Sequence, residues 1–177
     1  MMETTNQKQA VSLEQYQELS AFLHREARLL DNECWDDWLM MLSERIHYWM
    51  PNIENRRRED PKGPYTADHM AYFDDGMREL QRRVSRFKQP SAWAENPPTR
   101  NVHLISNIEV FLGAEDDHFE VHSCFMNVRS RGLDEQYQLV GRREDQIVRE
   151  ADGLKLLKRT ILIPNAMLRC KNINTFL

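Results

Sequence analysis

Four side chains able to bind a metal alternate along one segment of the chain: Asp116, His118, Glu120 and His122. Residues two apart in a β-strand point to the same face of the sheet. Two histidines and one carboxylate, with open positions, are the ligand set of mononuclear non-haem iron, so the segment is a candidate iron site. The same alternation is expected on the solvent face of a strand whose other face carries Phe119 and Val121, and we favour that interpretation.

A second group of residues could carry out general acid–base chemistry: Asp36, Asp37, His47, Tyr48, His103 and Asp145. This chemistry requires a histidine or carboxylate with a shifted pKa inside a pocket. The structural alternative is that His47 and Tyr48 pack with their polar tips hydrogen-bonded, and that His103 pins the turn after Arg100. We favour the structural alternative.

Motifs for redox cofactors and nucleotides are missing from the sequence. The cysteines Cys34, Cys124 and Cys170 lie far apart, and none is followed two residues later by a histidine, as the paired motifs of a Rieske cluster require. There is no GxGxxG and no P-loop pattern. We therefore predict no cofactor and no metal on this chain. An odd number of cysteines, together with a polar N-terminus, predicts reduced thiols and a cytoplasmic protein.

The first part of the chain has helical periodicity. Ser12 and Gln15 fit a capping box, and they precede a stripe of apolar residues at spacings of three and four: Tyr16, Leu19, Leu23, Ala27 and Leu30. A second helix is predicted with these residues on one side: Trp35, Trp38, Leu39 and Leu42. Residues 46–50 then form a short strand, and residues 51–65 form a loop.

A third helix is predicted over residues 66–86, again from apolar spacings of three and four: Met70, Phe73, Met77, Leu80, Val84 and Phe87. Gly76 would lie in its interior, where glycine costs roughly 1 kcal/mol relative to alanine. The polar side of this helix carries a basic cluster: Arg78, Arg82, Arg83, Arg86 and Lys88. We expect the cluster to be solvated, although arginine also suits a partner that bears carboxylates.

After the Pro97–Pro98 turn the periodicity changes to two, which is typical of strands. One face is predicted to carry Leu104, Ser106, Ile108, Val110 and Leu112. Further strands are predicted over a segment beginning at Phe119, over residues 137–143 and over residues 154–163, joined by short hairpin loops. Helices followed by strands predict an α+β fold with an antiparallel sheet. Residues 1–11 are predicted to be a flexible arm, and residues 12–177 a single domain.

Composition excludes several classes of partner. The 177 residues carry a net charge of −4, and 29% of them are charged. The basic run of residues 56–58 is followed at once by Glu59 and Asp60, so we expect no nucleic-acid partner. No apolar run approaches the ~18 residues of a membrane span, so we expect no membrane partner. Of the four tryptophans, Trp38 and Trp49 are predicted in the core, and Trp93 at an interface or in the core.

Six segments, in order, resemble the small (beta) subunits of aromatic-ring-hydroxylating dioxygenases. They are residues 22–51; Tyr72–Asp75 with the Leu-x-x-Arg-Val-x-Arg pattern of residues 80–86; the segment AWAENPPTRNVHLISNIEV at 92–110; Tyr137 with residues 141–145; residues 159–162; and residues 172–177. The resemblance covers nearly the whole chain, from about Ser12 to Leu177, and the biphenyl, cumene and polycyclic-hydrocarbon branch is the most similar. Asn101–Val102 and Pro164–Asn165 depart from the family pattern.

The resemblance implies a cone-shaped fold like that of nuclear transport factor 2. It implies a heterohexamer of three alpha and three beta chains (α₃β₃), including contacts among the beta chains. The alpha subunit of the family carries the 2Fe–2S Rieske cluster and the mononuclear iron, and electrons come from NAD(P)H through reductase and ferredoxin. The product is a cis-dihydrodiol. The beta subunit is mainly structural, so the resemblance implies no catalytic, cofactor-binding or metal-binding residue on this chain.

Two other functions remain open at this point. A free-standing dehydratase or isomerase of the same fold would use His47, His103 or Asp145 inside the cone. A binding module like the transport factor would have an exposed cone mouth and no alpha partner.

Overall fold

The computed structural model describes residues 8–66, 70–89, 98–133, 135–165, 173 and 175–177. These residues form the helices α1 (Leu13–Asp31), α2 (Trp35–Leu39) and α3 (Met77–Phe87). The strands are β1 (Leu42–Pro51), β2 (Ala71–Asp75), β3 (Arg100–Leu112), β4 (His118–Arg131), β5 (Glu135–Glu150) and β6 (Gly153–Leu162). The predicted α+β class is confirmed.

Helix α1 begins as the sequence predicts. The Gln15 amide donates to the Ser12 hydroxyl at 3.2 Å, and the Ser12 amide donates to the Gln15 side chain at 2.9 Å. The capping box thus satisfies two backbone donors that the helix leaves unpaired. The buried face of the helix packs against β3 and consists of Leu19, Phe22, Leu23, Glu26, Ala27 and Leu30. Tyr16, which the apolar pattern included, is exposed.

The region predicted as a third helix over residues 66–86 has a different structure. Ala71–Asp75 form β2, and α3 begins only at Met77. Gly76 is the N-cap of α3, with extended backbone angles (φ −92°, ψ −176°), and does not lie in a helix interior. Phe73 is buried from a strand position opposite Met50 of β1. Apolar spacings of three and four happen to continue across this strand–helix junction, so periodicity alone could not separate the two elements.

Helix α2 is likewise shorter than predicted. It ends at Leu39, and Leu42 opens β1. The strand predicted over residues 46–50 is therefore part of a longer strand. None of the helices in the described parts of the chain is long and apolar enough to span a membrane.

The six strands form one sheet in the order β2-β1-β6-β5-β4-β3. Every neighbouring pair is antiparallel except β1 and β6, which are parallel. The prediction of a wholly antiparallel sheet is therefore wrong at this pair. Tight loops set the antiparallel direction of β3 to β6, whereas β1 reaches β6 from the far end of the sequence, where no local turn signal exists.

A β-bulge divides β3 into two halves. The register with β4 shifts between Ser106 and Glu109, and Asn107 has a positive φ of 51°. Val110, beyond the bulge, is buried, whereas Leu104, before it, points outward and is 56% exposed. The prediction that Leu104 and Val110 share one face is therefore wrong, because the extra residue reverses the alternation.

The core lies between the helices and the inward face of the sheet. Phe119, Val121 and Phe125 point into it from β4, as predicted. Residues 175–177 also lie inside, where Phe176 and Leu177 are 1% and 0% exposed. At the open edge of β3, Ala10 of the N-terminal segment forms a bridge with Phe111. The C-terminal residues 175–177 are thus part of the core inside the cone.

Candidate functional site

Three buried charged residues meet at the centre of the cone: Glu26 of α1, Asp145 of β5 and Arg159 of β6. Both terminal nitrogens of Arg159 donate to the Glu26 carboxylate at 2.7 Å. Its Nε and Nη2 donate to Asp145 at 2.9 and 2.8 Å. Asp145 and Arg159 are cross-strand partners, so the sheet register itself places these charges together. One guanidinium therefore joins a helix to two strands by two bidentate pairs.

The electrostatics of this network favour the charged forms. Desolvation raises the pKa of Glu26, but the Arg159 and Arg143 guanidiniums outweigh it and hold that pKa below its usual value of 4.5. Burial lowers the pKa of Arg159, but Asp145 and Glu26 hold it well above its usual value. The Trp38 indole also donates to Glu26 at 3.2 Å. The Glu26 carboxylate is therefore held as a charged structural group and is not poised to transfer a proton near neutral pH.

Arg143 lies beside the network and joins it only through a long ion pair with Glu26. It is 1% exposed, and its nearest carboxylate oxygen, on Glu26, is 3.7 Å from Nη1. Its guanidinium lies 4.9 Å from the centre of the Phe125 ring. None of its three side-chain nitrogens has a hydrogen-bond partner within the described structure. Burial and the charge of Arg159 lower the pKa of Arg143 to about 10.

The C-terminal residues fill the space next to these charges. The Tyr48 hydroxyl donates to the Leu177 carbonyl and accepts from the Leu177 amide, and Arg159 donates to the same carbonyl at 3.2 Å. Burial raises the pKa of Tyr48, so its hydroxyl keeps the proton that it donates. The Phe176 ring packs 4.2 Å from Trp38, centre to centre.

Arg83 of α3 packs against the C-terminal residues and β2. It pairs with Asp75 at 2.8 Å, donates to the Thr175 carbonyl at 3.3 Å and lies 3.8 Å from the centre of the Phe73 ring. The expectation that the whole basic cluster of this helix is solvated is thus wrong for Arg83. Its contacts tie α3 to β2 and to the C-terminal residues.

His103 is buried at the inner end of β3. Its Nδ1 lies 2.6 Å from the Asp31 carboxylate, and its Nε2 lies 3.0 Å from the Phe176 carbonyl and 3.0 Å from Asn127 Nδ2. Asp31 also accepts from the His103 amide. Both ring nitrogens therefore hold together a helix end, a strand and the C-terminal residues, a different role from pinning the turn after Arg100.

The predicted acid–base residues do not form one site. Tyr48, His103 and Asp145 lie in the interior, and each is bonded to the structural partners named above. His47 lies outside, 2.8 Å from Asp74. Asp36 pairs with Lys88 at the surface, and Asp37 is exposed. Tyr48 packs with its polar tip bonded, as the structural alternative states, whereas His47 lies outside and His103 bonds to Asp31 and Phe176.

The predicted metal ligands do not converge either. Glu120 and His122 lie 3.0 Å apart on the outward side of β4, and Lys8 contacts both. The His118 ring lies 3.1 Å from the carbonyl of Asp116, which is in the preceding loop. In the described residues no three His, Cys, Asp or Glu side chains are arranged to hold a metal.

A groove of about 470 Å³ lies beside the bulge of β3. It is lined by Asn107, Ile108, Glu109, His122, Ser123, Cys124, Arg142, Arg143 and Glu144.

Sequence reasoning missed the central network. A signal was present for Glu26, because it falls on the apolar face of α1 between Leu23 and Leu30. A second signal was present in β5, where Arg143 and Asp145 alternate with exposed residues and so lie on the same face of the strand as the buried Ile147. Charged residues at buried positions of two elements indicate an internal ion pair.

Comparison with known proteins finds relatives of one kind, the beta subunits of ring-hydroxylating dioxygenases. A family model described as "Ring hydroxylating beta subunit" matches residues 25–170. The chain is 34% identical over 171 residues to the 3-phenylpropionate/cinnamic acid dioxygenase subunit beta of Photorhabdus laumondii subsp. laumondii, covering 96% of this chain and 95% of that one. It is 31% identical over 170 residues to the benzene 1,2-dioxygenase subunit beta of Pseudomonas putida, covering 94% and 90%.

The fold agrees with these relatives. A chain of naphthalene 1,2-dioxygenase with indole bound in the active site superposes with a TM-score of 0.86 at 24% identity, covering 95% of this chain and 88% of that chain. The cone-shaped fold like that of nuclear transport factor 2 is therefore confirmed. The family model and the two relatives each extend over most of the sequence. This chain belongs to the family of ring-hydroxylating dioxygenase beta subunits.

Proposed function

We propose that this chain is a structural subunit of a cytoplasmic enzyme that dihydroxylates aromatic hydrocarbons, and that it supplies no catalytic residue. Its role is to bind and stabilise a large alpha subunit in an α₃β₃ hexamer. In this proposal the alpha subunit holds the Rieske cluster and the mononuclear iron, and a reductase and ferredoxin deliver electrons from NAD(P)H. Family membership supports the subunit role.

The filled interior is the observation that carries the non-catalytic part of the proposal. Folds of this shape can enclose a pocket, but here Phe176 and Leu177 occupy the interior beside Tyr48 and Arg159. The carboxylates of Glu26 and Asp145 are both bonded to Arg159. Acid–base catalysis needs a titratable group within reach of a substrate, and these groups are engaged with each other.

Co-expression tests the subunit role. The chain is produced together with a Rieske-type large subunit of a ring-hydroxylating dioxygenase, with an affinity tag on the large subunit only. We expect the two chains to elute together in equal molar amounts, because large subunit interfaces are stable when both partners are present. A chain that remains a monomer and ignores the large subunit would contradict the proposal.

The rival function is a free-standing dehydratase or isomerase. Tyr48, His103 and Asp145 do share the interior, which is the observation in its favour. It requires the C-terminal residues to leave the cone before a substrate can enter. Catalytic turnover by the purified chain alone, lost on His103→Gln substitution, would favour this rival.

A further inference from the structure

The two ring nitrogens of His103 face groups that can only accept hydrogen bonds. Nδ1 lies 2.6 Å from the Asp31 carboxylate, and Nε2 lies 3.0 Å from the Phe176 carbonyl. A neutral imidazole has one N–H, so both contacts are hydrogen bonds only when the ring carries two protons. The His103 side chain is 1% exposed. Because bulk water has little access to the ring, its protonation decides which of these contacts are favourable.

Asn127 of β4 competes for the same ring nitrogen. It is the cross-strand partner of His103, and its Nδ2 lies 3.0 Å from Nε2. An amide nitrogen only donates, so this contact is a hydrogen bond only when Nε2 carries no proton. The Asn127 Oδ1 is buried and has no hydrogen-bond partner within the described structure. Turning the amide by 180° would bring Oδ1 to Nε2, where it can accept from a protonated ring.

These contacts define two alternative hydrogen-bond arrangements. When the ring carries two protons, Nε2 donates to the Phe176 carbonyl, and Asn127 turns its oxygen towards the ring. When the ring is neutral, Nδ1 keeps its proton for Asp31, and Nε2 accepts from Asn127. The Phe176 carbonyl then faces a lone pair at 3.0 Å and loses its donor. One proton on His103 therefore decides whether this carbonyl is held.

The charged groups on the elements around His103 favour the doubly protonated ring. Asp31, the last residue of α1, contacts both the ring and the backbone amide of His103. Glu26 of the same helix is engaged in the central network. Arg129 of β4 is buried and opposes the protonation, but it is a diagonal neighbour, at a Cα separation of about 7–8 Å. The side chains of residues 175–177 carry no charge. The carboxylate in direct contact outweighs the more distant guanidinium.

We propose that His103, with Asn127 as its alternative partner, is a proton-dependent latch that holds residues 175–177 inside the cone. Loss of the second proton as the pH rises releases the Phe176 carbonyl, and acid restores its hydrogen bond. The contacts of the segment with α3, β1 and β6 do not involve this proton, so the segment leaves more often but not permanently. Each departure opens the interior of the cone to solvent. The latch is a property of this chain alone and does not rest on the subunit role proposed above.

Cysteine labelling of the purified chain measures how often the segment leaves. Thr175→Cys is suitable because Thr175 is 3% exposed and its hydroxyl makes only long contacts of 3.2 and 3.4 Å. Trypsin cleaves after Lys171, so mass spectrometry reads this thiol separately from Cys170. Protection is the labelling rate of a free peptide of residues 172–177 with the same cysteine, divided by the rate of the chain at the same pH.

Protection at position 175 should fall as the pH rises. A hydrogen bond to a charged group corresponds to about a 10–100-fold change in the opening equilibrium. We expect a loss of protection of that size between about pH 5 and about pH 8, where histidine side chains change charge. In His103→Gln the loss should disappear, because the glutamine amide can donate to the Phe176 carbonyl at every pH. Asp31→Asn should move the loss to lower pH, since it removes the charge that favours the protonated ring. Asp37→Asn is the matched control, because Asp37 is exposed and its substitution changes the net charge equally.

Three results would overturn the latch. The first is protection at position 175 that does not change with pH, and the second is the same pH dependence in His103→Gln. The third is equal protection at Thr175→Cys and at Leu139→Cys, a buried position of β5, because the segment would then leave only when the whole chain unfolds.

Nitrogen-15 NMR of the His103 ring in the unsubstituted chain follows the proton itself and does not depend on any variant folding. The signals of the ring are assigned by their absence in His103→Gln. We expect both ring nitrogens to be protonated at the acid end, and Nε2 to lose its proton over the same pH range in which protection falls. A ring that stays neutral throughout, or that never loses its second proton, would contradict the latch.

Discussion

The two buried arginines provide the sharpest test of how the interior is held together. Arg159→Met removes the only guanidinium that hydrogen-bonds both Glu26 and Asp145 within the described structure. Both carboxylates then remain buried, and within the described part of the chain Glu26 keeps only the Trp38 indole as a hydrogen-bond donor and the Arg143 guanidinium at 3.7 Å. Removing one partner of a buried ion pair costs about 3–5 kcal/mol. Since two carboxylates lose their partner here, we expect the upper end of that range.

Arg143→Met is the matched control, because it removes a guanidinium of similar burial. Arg143 makes no side-chain hydrogen bond within the described structure, and its nearest carboxylate oxygen is 3.7 Å away. The wild-type protein therefore bears the desolvation of this charge with little compensation, and methionine keeps much of the packing on Phe125. We expect the free energy of unfolding to change by less than about 1 kcal/mol, or to rise.

Thermal unfolding of the purified chain, followed by circular dichroism, measures both variants. A chain of this size loses about 2–4 °C in Tm per kcal/mol, so a loss near the upper end, about 5 kcal/mol, should lower Tm by about 10–20 °C. Arg143→Met should leave Tm nearly unchanged. The reasoning is refuted if Arg159→Met is tolerated, or if Arg143→Met is as destabilising as Arg159→Met.

Three further predictions concern the same interior. The pKa of Glu26 is held below 4.5 in the folded chain. Its contribution to the free energy of unfolding is therefore present above pH 4.5 and is lost as the pH falls through the folded-state pKa. In acid titrations, the free energy of unfolding should therefore fall less steeply with pH in Glu26→Gln than in wild type. Phe176→Ala should lower the free energy of unfolding by about 3–5 kcal/mol in urea titrations, with Leu133→Ala as a neutral control. Gly141→Ala should destabilise by about 1–3 kcal/mol, because a Cβ there would lie 2.6 Å from the Leu162 carbonyl and 2.8 Å from Phe125; an unchanged urea midpoint would contradict it.

Local signals in the sequence predicted local structure well. The Ser12 capping box fixes the start of α1, since both of its hydrogen bonds form between residues three apart. Alternation of apolar residues placed Phe119, Val121 and Phe125 on the buried face of β4. In both cases the physical cause lies within a few residues of its effect.

The errors arose where the cause is distant in sequence. The parallel pairing of β1 with β6 depends on the closure of the whole sheet, and the bulge at Asn107 depends on its register with β4. The sequence offers Asp145 as a candidate, but its partner Arg159 lies on β6, and Glu26, the other carboxylate bound to Arg159, lies on α1. Ion pairs between elements become visible only after the elements have been placed together, which explains why Arg159 was missed.

Iron analysis of the separated subunits tests the central claim most directly. The complex is dissociated, each chain is purified, and iron and arene dihydroxylation are measured for each chain and for the reassembled complex. We expect that iron stays with the large subunit and that this chain alone forms no diol. Tightly bound iron in this chain, or oxygenated product formed by it unaided, would contradict the account.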